Sequence, residues 1–422
     1  TGANITTTNL SKDVTITTSA GHNLIPGDII TFANAGSFTP PDTDYTATDF
    51  DDVLFEVKTV PSATTFTIQM PTDETGTGAT NDGTLDVNPY EPVGPLSQTY
   101  GYGWGTGTWS RLAWGSASTS SNVVLDPANW SLDNWGQILI ATIHNGRSFT
   151  WDPTSGLTTR AVLNTNMPSK SVMSIVSDRD RHLFHLGTET TIGTPSKQDK
   201  MFIRFSDQED YDVYAPTSVN TAGTFQLDDG TKIVGATKGK DYIMVFTDTA
   251  TYRMDFVGPP FTFSIRKVAS NAGLIGQHAA VYANGAMWWM GATGGFYVYD
   301  GTVKSVPCLV EDFVFTNNGA GDLGLNYNSG EIIYAGINEL YSEVNWFYPS
   351  TNSTVIDRCV TYNFSEQVWY TSSLDRTTWE GSTVYAAPFA TDFQASLTPT
   401  YPTVNGVSNG ATILYQHETG VN

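Results

Sequence analysis

Short apolar runs broken by Gly, Asn, Asp and Pro recur along this chain, and apolar positions at helical spacing are nowhere sustained beyond about ten residues. Between Ile138 and Tyr370 the runs fall into a repeat: an apolar strand, an aromatic beside a polar turn, then a further strand. The anchors are Trp151-Asp152, Phe205-Ser206-Asp207, Thr251-Tyr252, Tyr299-Asp300-Gly301 and Tyr362-Asn363, spaced 54, 47, 47 and 63 residues apart. A period of about 40–60 residues holding several short strands is the mark of a β-propeller blade. The pattern predicts strands at 137–143, 149–151 and 158–163 for a first blade, and at 181–187 and 201–205 for a second. A third takes 233–236, 242–247, 251–256 and 263–268; a fourth takes 279–282, 286–290, 296–299 and 303–306. A fifth takes 324–327, 331–336, 344–348, 355–363 and 367–370, with the long last interval read as a loop insertion inside it. The run 412–416 either begins a sixth blade or pairs back with 104–114. Closure from segments near 96–125 and 410–417 would remove open sheet edges.

Residues 1–92 read as a separate small domain, barrel- or sandwich-like, inserted at the N-terminal end. Strands are predicted at 14–16, 29–32, 54–60 and 65–70, with turns at Pro26-Gly27-Asp28 and at 61–64, and linkers at 76–83 and 89–95. In 96–135 the alternation Tyr100-Gly101-Tyr102-Gly103-Trp104-Gly105 predicts a strand packed closely against a neighbour. A phosphate cradle would need a following helix, and usually a Lys, and the sequence offers neither. The fold class is all-β: a propeller of about five to six blades over 93–422 and the small domain over 1–92. The chain begins without Met and stops just past 412–416, so both ends read as trimmed.

Composition agrees with this picture. Gly 39, Pro 20 and a Thr/Ser/Asn-rich background favour turns and strands, and 12% aromatic residues suit half-buried sheet faces. The net charge of −22 is concentrated at one end: 1–92 hold 13 acids against Lys12 and Lys58. A basic stripe able to grip DNA by its phosphates is missing. No apolar stretch approaches the roughly 18–20 residues that span a bilayer. Cys308 and Cys359 are too few for a disulfide scaffold and lack metal-ligand spacing, although 51 residues apart they could face each other from successive blades.

The chemistry-bearing candidates are few. His182 and His185, three apart on a strand, point to opposite faces and make a poor metal pair. Asp42, Asp44, Asp49, Asp51 and Asp52 could gather Ca²⁺ through oxygen ligands, but their spacing fits no calcium loop and a solvated acidic loop is the simpler reading. Nucleophile-elbow, zinc-helix and Walker motifs are all missing, and 146–151 lacks the Asp of a glycosidase aspartate box, so no enzyme activity and no cofactor are expected. The least ordinary segment runs from Ser196 to Tyr211, where charges of both signs flank an apolar strand. Its acids Asp207, Glu209 and Asp210, with Asp212 just beyond it, are candidates for a channel wall or a subunit contact, because dense polarity beside a strand suits a wet, register-setting interface.

At this segment a family resemblance enters. Ser206-Asp207-Gln208-Glu209-Asp210, Pro216-Thr217 and Asn220-Thr221-Ala222-Gly223 resemble a group of tailed-phage virion proteins. So do Val257-Gly258-Pro259-Pro260-Phe261-Thr262-Phe263, Ala272-Gly273-Leu274-Ile275, Trp289-Met290-Gly291, Glu343-Val344-Asn345-Trp346-Phe347-Tyr348-Pro349-Ser350 and Leu414-Tyr415-Gln416-His417-Glu418-Thr419-Gly420. The likeness covers roughly 95–422, with its motifs in one order. Residues 14–70 resemble a small β module inserted in many phage tail proteins. The group is that of the podovirus tail nozzle, also called tail tubular or packaged-DNA stabilisation protein. The resemblance implies a propeller-based subunit in the virion tail, six to a ring below the portal and tail adaptor. Such a ring would contact tail fibre or tip proteins, hold back packaged DNA and conduct it at ejection without sequence-specific binding. A runner-up is a carbohydrate-binding propeller that stacks sugars on Trp104, Trp109, Trp114, Trp130 and Trp135; a tail glycosidase is a third reading.

Overall fold

Alternate residues of the N-terminal strands turn inward, and this period-two pattern builds the first unit. Val14 and Ile16 of Asp13–Thr17 and Phe66 and Ile68 of Thr65–Gln69 are buried, with Thr between them facing out. The computed structural model describes residues 2–39, 44–75, 80–81, 85–90, 127–316, 324–381, 384–385, 387–394 and 411–419. It divides into two compact units, the first made mainly of Thr1–Val93 with two short later segments. In that unit a six-stranded sheet runs Phe38–Thr39, Thr80–Asn81, Asn4–Thr6, Asp13–Thr17, Thr65–Gln69, Thr59–Ser62. A three-stranded sheet runs Leu54–Glu56, Ile29–Ala33, Asp86–Tyr90. Both sheets supply one apolar core, in which Ile5, Ile30, Phe32, Phe50, Phe66 and Ile68 have no exposed surface. Two expected linkers are in part strand: Thr80–Asn81 pairs with the sheet, and Asp86–Tyr90 pairs along Ile29–Ala33. Pro89 is tolerated because its strand is a sheet edge. The expected strand at 54–60 is two, separated at Val57-Lys58.

The second unit is built from consecutive antiparallel meanders. Blade 1 is Trp130–Trp135, Ile138–Ile143, Ser148–Trp151 and Val162–Leu163; blade 2 is Met173–Ser177, His182–Leu186, Phe202–Phe205 and Gly223–Gln226. Blade 3 is Ile233–Lys238, Ile243–Thr247, Ala250–Gly258 and Thr262–Ser270; blade 4 is Ala280–Ala283, Ala286–Met290, Phe296–Tyr299 and Val303–Val306. Blade 5 is Tyr334–Asn338, Glu343–Tyr348, Arg358–Asn363 and Val368–Ser372, and a sixth, three-stranded sheet joins Thr378–Glu380, Phe389–Gln394 and Ala411–Gln416. The first strand of every sheet contributes to the wall of a single cavity. Sheets in chain order with their first strands around one axis define a β-propeller.

The aromatic anchors acquire a structural meaning here. Trp151, Phe205, Tyr252, Tyr299 and Tyr362 all lie on the third strand of their blades. Phe205, Tyr252 and Tyr299 are buried where successive sheets pack. Indole N–H groups then link neighbouring sheets: Trp346 Nε1 of blade 5 donates to the Ala279 carbonyl before blade 4 (3.1 Å), and Trp379 Nε1 of the sixth sheet donates to Ile337 of blade 5 (2.8 Å). Gly336 leaves the room Trp379 needs, since a Cβ there would lie 2.5 Å from the indole ring.

Several expected elements are corrected. The inner strands Trp130–Trp135 and Met173–Ser177 and the outer strand Gly223–Gln226 were not marked by the apolar pattern. Residues 324–327 are not a strand: Leu325 makes one bridge to Ser350, and the Asn326 side chain accepts from Asn328 N–H to cap the 3-10 turn Tyr327–Ile332. The extra residues of the last interval precede blade 5 rather than interrupt it, in a crossover that holds the helical turn Glu311–Phe315 and that 3-10 turn. The run 412–416 is the last strand of the sixth sheet rather than its beginning, and the pairing with 104–114 lies outside the described residues. The predicted strand at 100–105 and closure from 96–125 lie outside the described residues.

Candidate functional site

The axial cavity has a volume of about 570 Å³. Its wall mixes short side chains such as Ala236, Thr237, Ala280 and Ala335 with the larger Met173, Tyr334 and Trp379. Charge gathers where the inner strands end. Lys238 Nζ stands 2.7 Å from Asp133 Oδ1 and 3.0 Å from Asp178, while Asp133 Oδ2 accepts the Val176 N–H at 2.7 Å. That carboxylate thereby ties blades 1, 2 and 3 together. Glu339 and Glu380 join the same lining.

Polar groups at the strand beginnings are locked in pairs. His278 Nε2 donates to the Trp130 carbonyl at 2.9 Å, and burial pushes its pKa down, so the ring is held neutral. His144 Nδ1 meets Gln277 Oε1 at 2.9 Å, and the Gln277 Nε2 is buried without a partner among the described residues. Asn129 Nδ2 donates to the Glu331 carbonyl (2.7 Å), and Lys232 pairs with the Glu331 carboxylate (2.7 Å). These bonds join blade 1 to the segments entering blades 4 and 5, and blade 3 to blade 5, so they serve closure of the disc.

His182 and His185 point to opposite faces of their strand, as their spacing requires. The His182 ring packs against Phe205, Phe256 and Phe263, and its Nε2 meets Thr221 Oγ1 at 3.0 Å. His185 joins a fully buried chain: Nδ1 meets Ser171 Oγ at 3.1 Å and Nε2 meets the Tyr214 hydroxyl at 3.1 Å. Burial holds His185 neutral with a pKa of about 3, the nearby Arg204 adding to the effect. This serine–histidine contact escapes sequence reading because Ser171 precedes the strand that carries His185. With no solvent access it works as a polar core, not as a nucleophile and base.

The acids of the blade 2 loop are engaged locally. Asp207 Oδ1 accepts from the Thr221 hydroxyl (2.7 Å) and from Thr221 and Gln208 N–H, and these bonds outweigh burial to hold its pKa low. Glu209 lies 3.2 Å from Arg181, Asp210 accepts the Asp212 N–H, and Asp212 accepts from Asn164 Nδ2. None of the four lines the axial cavity. Among the described residues the N-terminal acids do not converge either. Asp44 accepts twice from Thr75, which lowers its pKa; Asp49 closes a capping box with Thr46; Asp51 accepts the Ala35 N–H. Asp52 takes a left-handed turn position, and Asp42 lies outside the described residues. Among the described residues no group of three or more His, Cys, Asp or Glu could hold a metal ion.

Of the aromatics proposed to stack sugars, Trp104, Trp109 and Trp114 lie outside the described residues. Trp130 is 40% exposed and leans on Phe149, whereas Trp135, expected on the surface, is buried beneath the Arg181 guanidinium. The cysteines are unbonded, and burial raises the thiol pKa of Cys308 to about 11 and of Cys359 to about 12. No helix among the described residues is long and apolar enough to cross a membrane.

Compared with known proteins, the sequence matches no family model and no curated sequence. Solved structures align with it at low similarity. The Hsv2 protein of Kluyveromyces marxianus aligns over 62% of this chain and 67% of its own at 8% identity, with a TM-score of 0.34. The AfRom2 CNH domain aligns over 62% and 76% at 11% identity, TM-score 0.35. The computationally designed Ika8 protein aligns over 95% and 98% at 10% identity, TM-score 0.38. The class of the larger unit rests on its own sheet order: it is a β-propeller.

Proposed function

We propose that this chain is a structural subunit of a phage tail nozzle: a homohexameric ring below the portal and adaptor that retains packaged DNA and conducts it at ejection. The observation that carries the reading is the ordered series of motifs from Ser206 to Gly420. The places those motifs occupy support it. Residues 206–222 form the long outer loop of blade 2, and 257–263 span the turn of blade 3's hairpin with the strand residues beside it. Residues 272–275 form the crossover into blade 4, where Leu274 N–H donates to Thr247 and Ile275 N–H to Met290. Exposed loops and crossovers suit a subunit that meets neighbours in a particle, while the motifs at 289–290, 343–348 and 414–416 lie within strands.

The charge supports the same reading. Duplex DNA carries one phosphate charge per about 1.7 Å, so a conduit that released it quickly would avoid basic walls. With a net charge of −22 the chain is suited to passage and poorly suited to capture. The conduit would run between propellers in the ring, because each propeller's own axis is a narrow side-chain-lined cavity. Electron microscopy of purified particles tests the proposal: six copies of the propeller in a ring below the portal support it, and particles lacking the chain at that level refute it.

A further inference from the structure

Blade 2 carries opposite charges at its two ends. Successive connections of an antiparallel meander alternate between ends, so 178–181 and 206–222 lie at one end and 187–201 at the other. The first end holds Asp178, Asp180, Asp207, Glu209, Asp210 and Asp212 against two bases, Arg179 and Arg181, and Arg181 pairs with Glu209, so the end remains net acidic. The second holds Lys197 and Lys200, together with Lys170, whose carbonyl accepts from Thr188 Oγ1. Strands of four to five residues separate the ends by about 15 Å. Lys197 and Lys200 are exposed and make no ion pair among the described residues. Burial, with Lys200 nearby, pushes the Lys170 pKa down. The acids of that end are occupied: Glu189 is buried and accepts from Ser169 and Thr194, and Asp199 accepts from Met201 N–H and Gln226.

The acidic end also carries apolar surface. Blade 3's outer hairpin has nine residues in each strand, against five or six in that blade's inner strands, and its extension leans over blade 2. Phe263 packs on His182, Phe184 and Phe205, and Thr262 Oγ1 donates to the Thr221 carbonyl at 3.4 Å. This contact sets the hairpin tip beside the blade 2 loop. Phe261 is left 78% exposed, Val257 54% and Val219 93%, with the carboxylates of 207–212 in the same loop. Bare apolar side chains beside charges have the make-up of an interface centre and its polar rim.

We infer that this acidic and apolar end of one copy docks on the lysine end of blade 2 in the next copy. The inference rests on the ring reading above and names its contact. Two different surfaces of one chain meeting head to tail form a heterologous interface, which closes into a ring when its rotation allows. Charge complementarity selects the occupant. In a chain this acidic an exposed lysine cluster is scarce, and this one sits at the opposite end of the same sheet.

Sedimentation velocity of the full chain over a range of concentrations, at low and high salt, tests it. The wild-type chain is expected to self-associate, more weakly in high salt. Glu209→Lys with Asp210→Lys, and separately Lys197→Glu with Lys200→Glu, should each weaken association about tenfold or more, and the four changes combined should restore it. Phe261→Ser should weaken it at either salt, with tryptophan emission confirming that the propeller is folded. A strictly monomeric wild-type chain, or folded charge-reversed variants that associate like wild type, would overturn the inference. A six-fold ring in particles whose contact lies elsewhere sinks this inference and leaves the nozzle reading standing. Assembly that follows the charge swaps in a chain missing from the tail does the reverse.

Discussion

Lowering pH should loosen the propeller through His185. The folded chain keeps this ring neutral until about pH 3, whereas the unfolded chain protonates it below its ordinary value of about 6.5. Between those values the unfolded state binds the extra proton, so stability falls as pH falls. The contribution is complete above about pH 7 and is lost at about 1.4 kcal/mol per pH unit below 6.5, or about 2 kcal/mol by pH 5. His182, His278 and His417 are shifted in the same direction by burial and add to the slope. Tryptophan emission follows the propeller, because the eight Trp among the described residues, from Trp130 to Trp379, all belong to it. Urea midpoints at several pH values from 7.5 to 5, for wild type and His185→Gln, measure it. Gln can keep bonds to Ser171 and Tyr214 but cannot titrate, so the variant should lose about 2 kcal/mol of the pH dependence, whatever its stability at pH 7.5. An unchanged slope in the variant refutes the reasoning.

Other consequences can be checked in the same way. Gly336→Ala drives a methyl into the Trp379 ring and should destabilise the propeller by about 1–3 kcal/mol, read as a lower urea midpoint; a neutral result would show that the sixth sheet shifts freely against blade 5. Trp346→Phe removes volume and the N–H that reaches Ala279, with an expected loss of about 2 kcal/mol, whereas no loss would deny that this bond joins blades 4 and 5. Calcium at ~1 mM should leave the N-terminal unit's calorimetric transition unmoved, since even a site of millimolar affinity would add about 0.4 kcal/mol; a clear upward shift would mean its acids converge after all. Reversing the charges of Asp207, Glu209, Asp210 and Asp212 together should lower DNA retention in assembled particles. Full retention with intact assembly would remove these acids from any role at the conduit.

The fold was legible where short apolar runs are cut cleanly by turn residues. Blades 3 and 4 gave up all four of their strands because runs such as Ile243–Thr247 and Ala286–Met290 are apolar and bounded by Asp, Asn or Gly turns. The inner strand Trp130–Trp135 was obscured because one face meets the polar axial cavity: Asp133 and Ser131 stand where a core strand would carry aliphatics. Gly223–Gln226 is an outer strand whose Gly lies against the Phe205 ring, a close approach that leaves no mark in a hydrophobic pattern. Residues 324–327 misled in the other direction, since Leu325 and Tyr327 alternate like a strand while Asn326 caps a turn. The acidic loop was visible as composition. Its partners were not, because Arg181, Asn164 and Thr221 reach it only through the fold. The axial ion pairs and the Ser171–His185–Tyr214 chain were invisible for the same reason: each joins residues from separate strands or blades.

The most direct measurement is a cryo-electron microscopy reconstruction of particles carrying this chain, resolved well enough to trace blades. The account predicts six copies around the tail axis below the portal, each showing the six sheets, with the DNA path between the propellers. A tail that lacks the chain at that level, or holds it as a lone peripheral subunit bound to glycan, would contradict it.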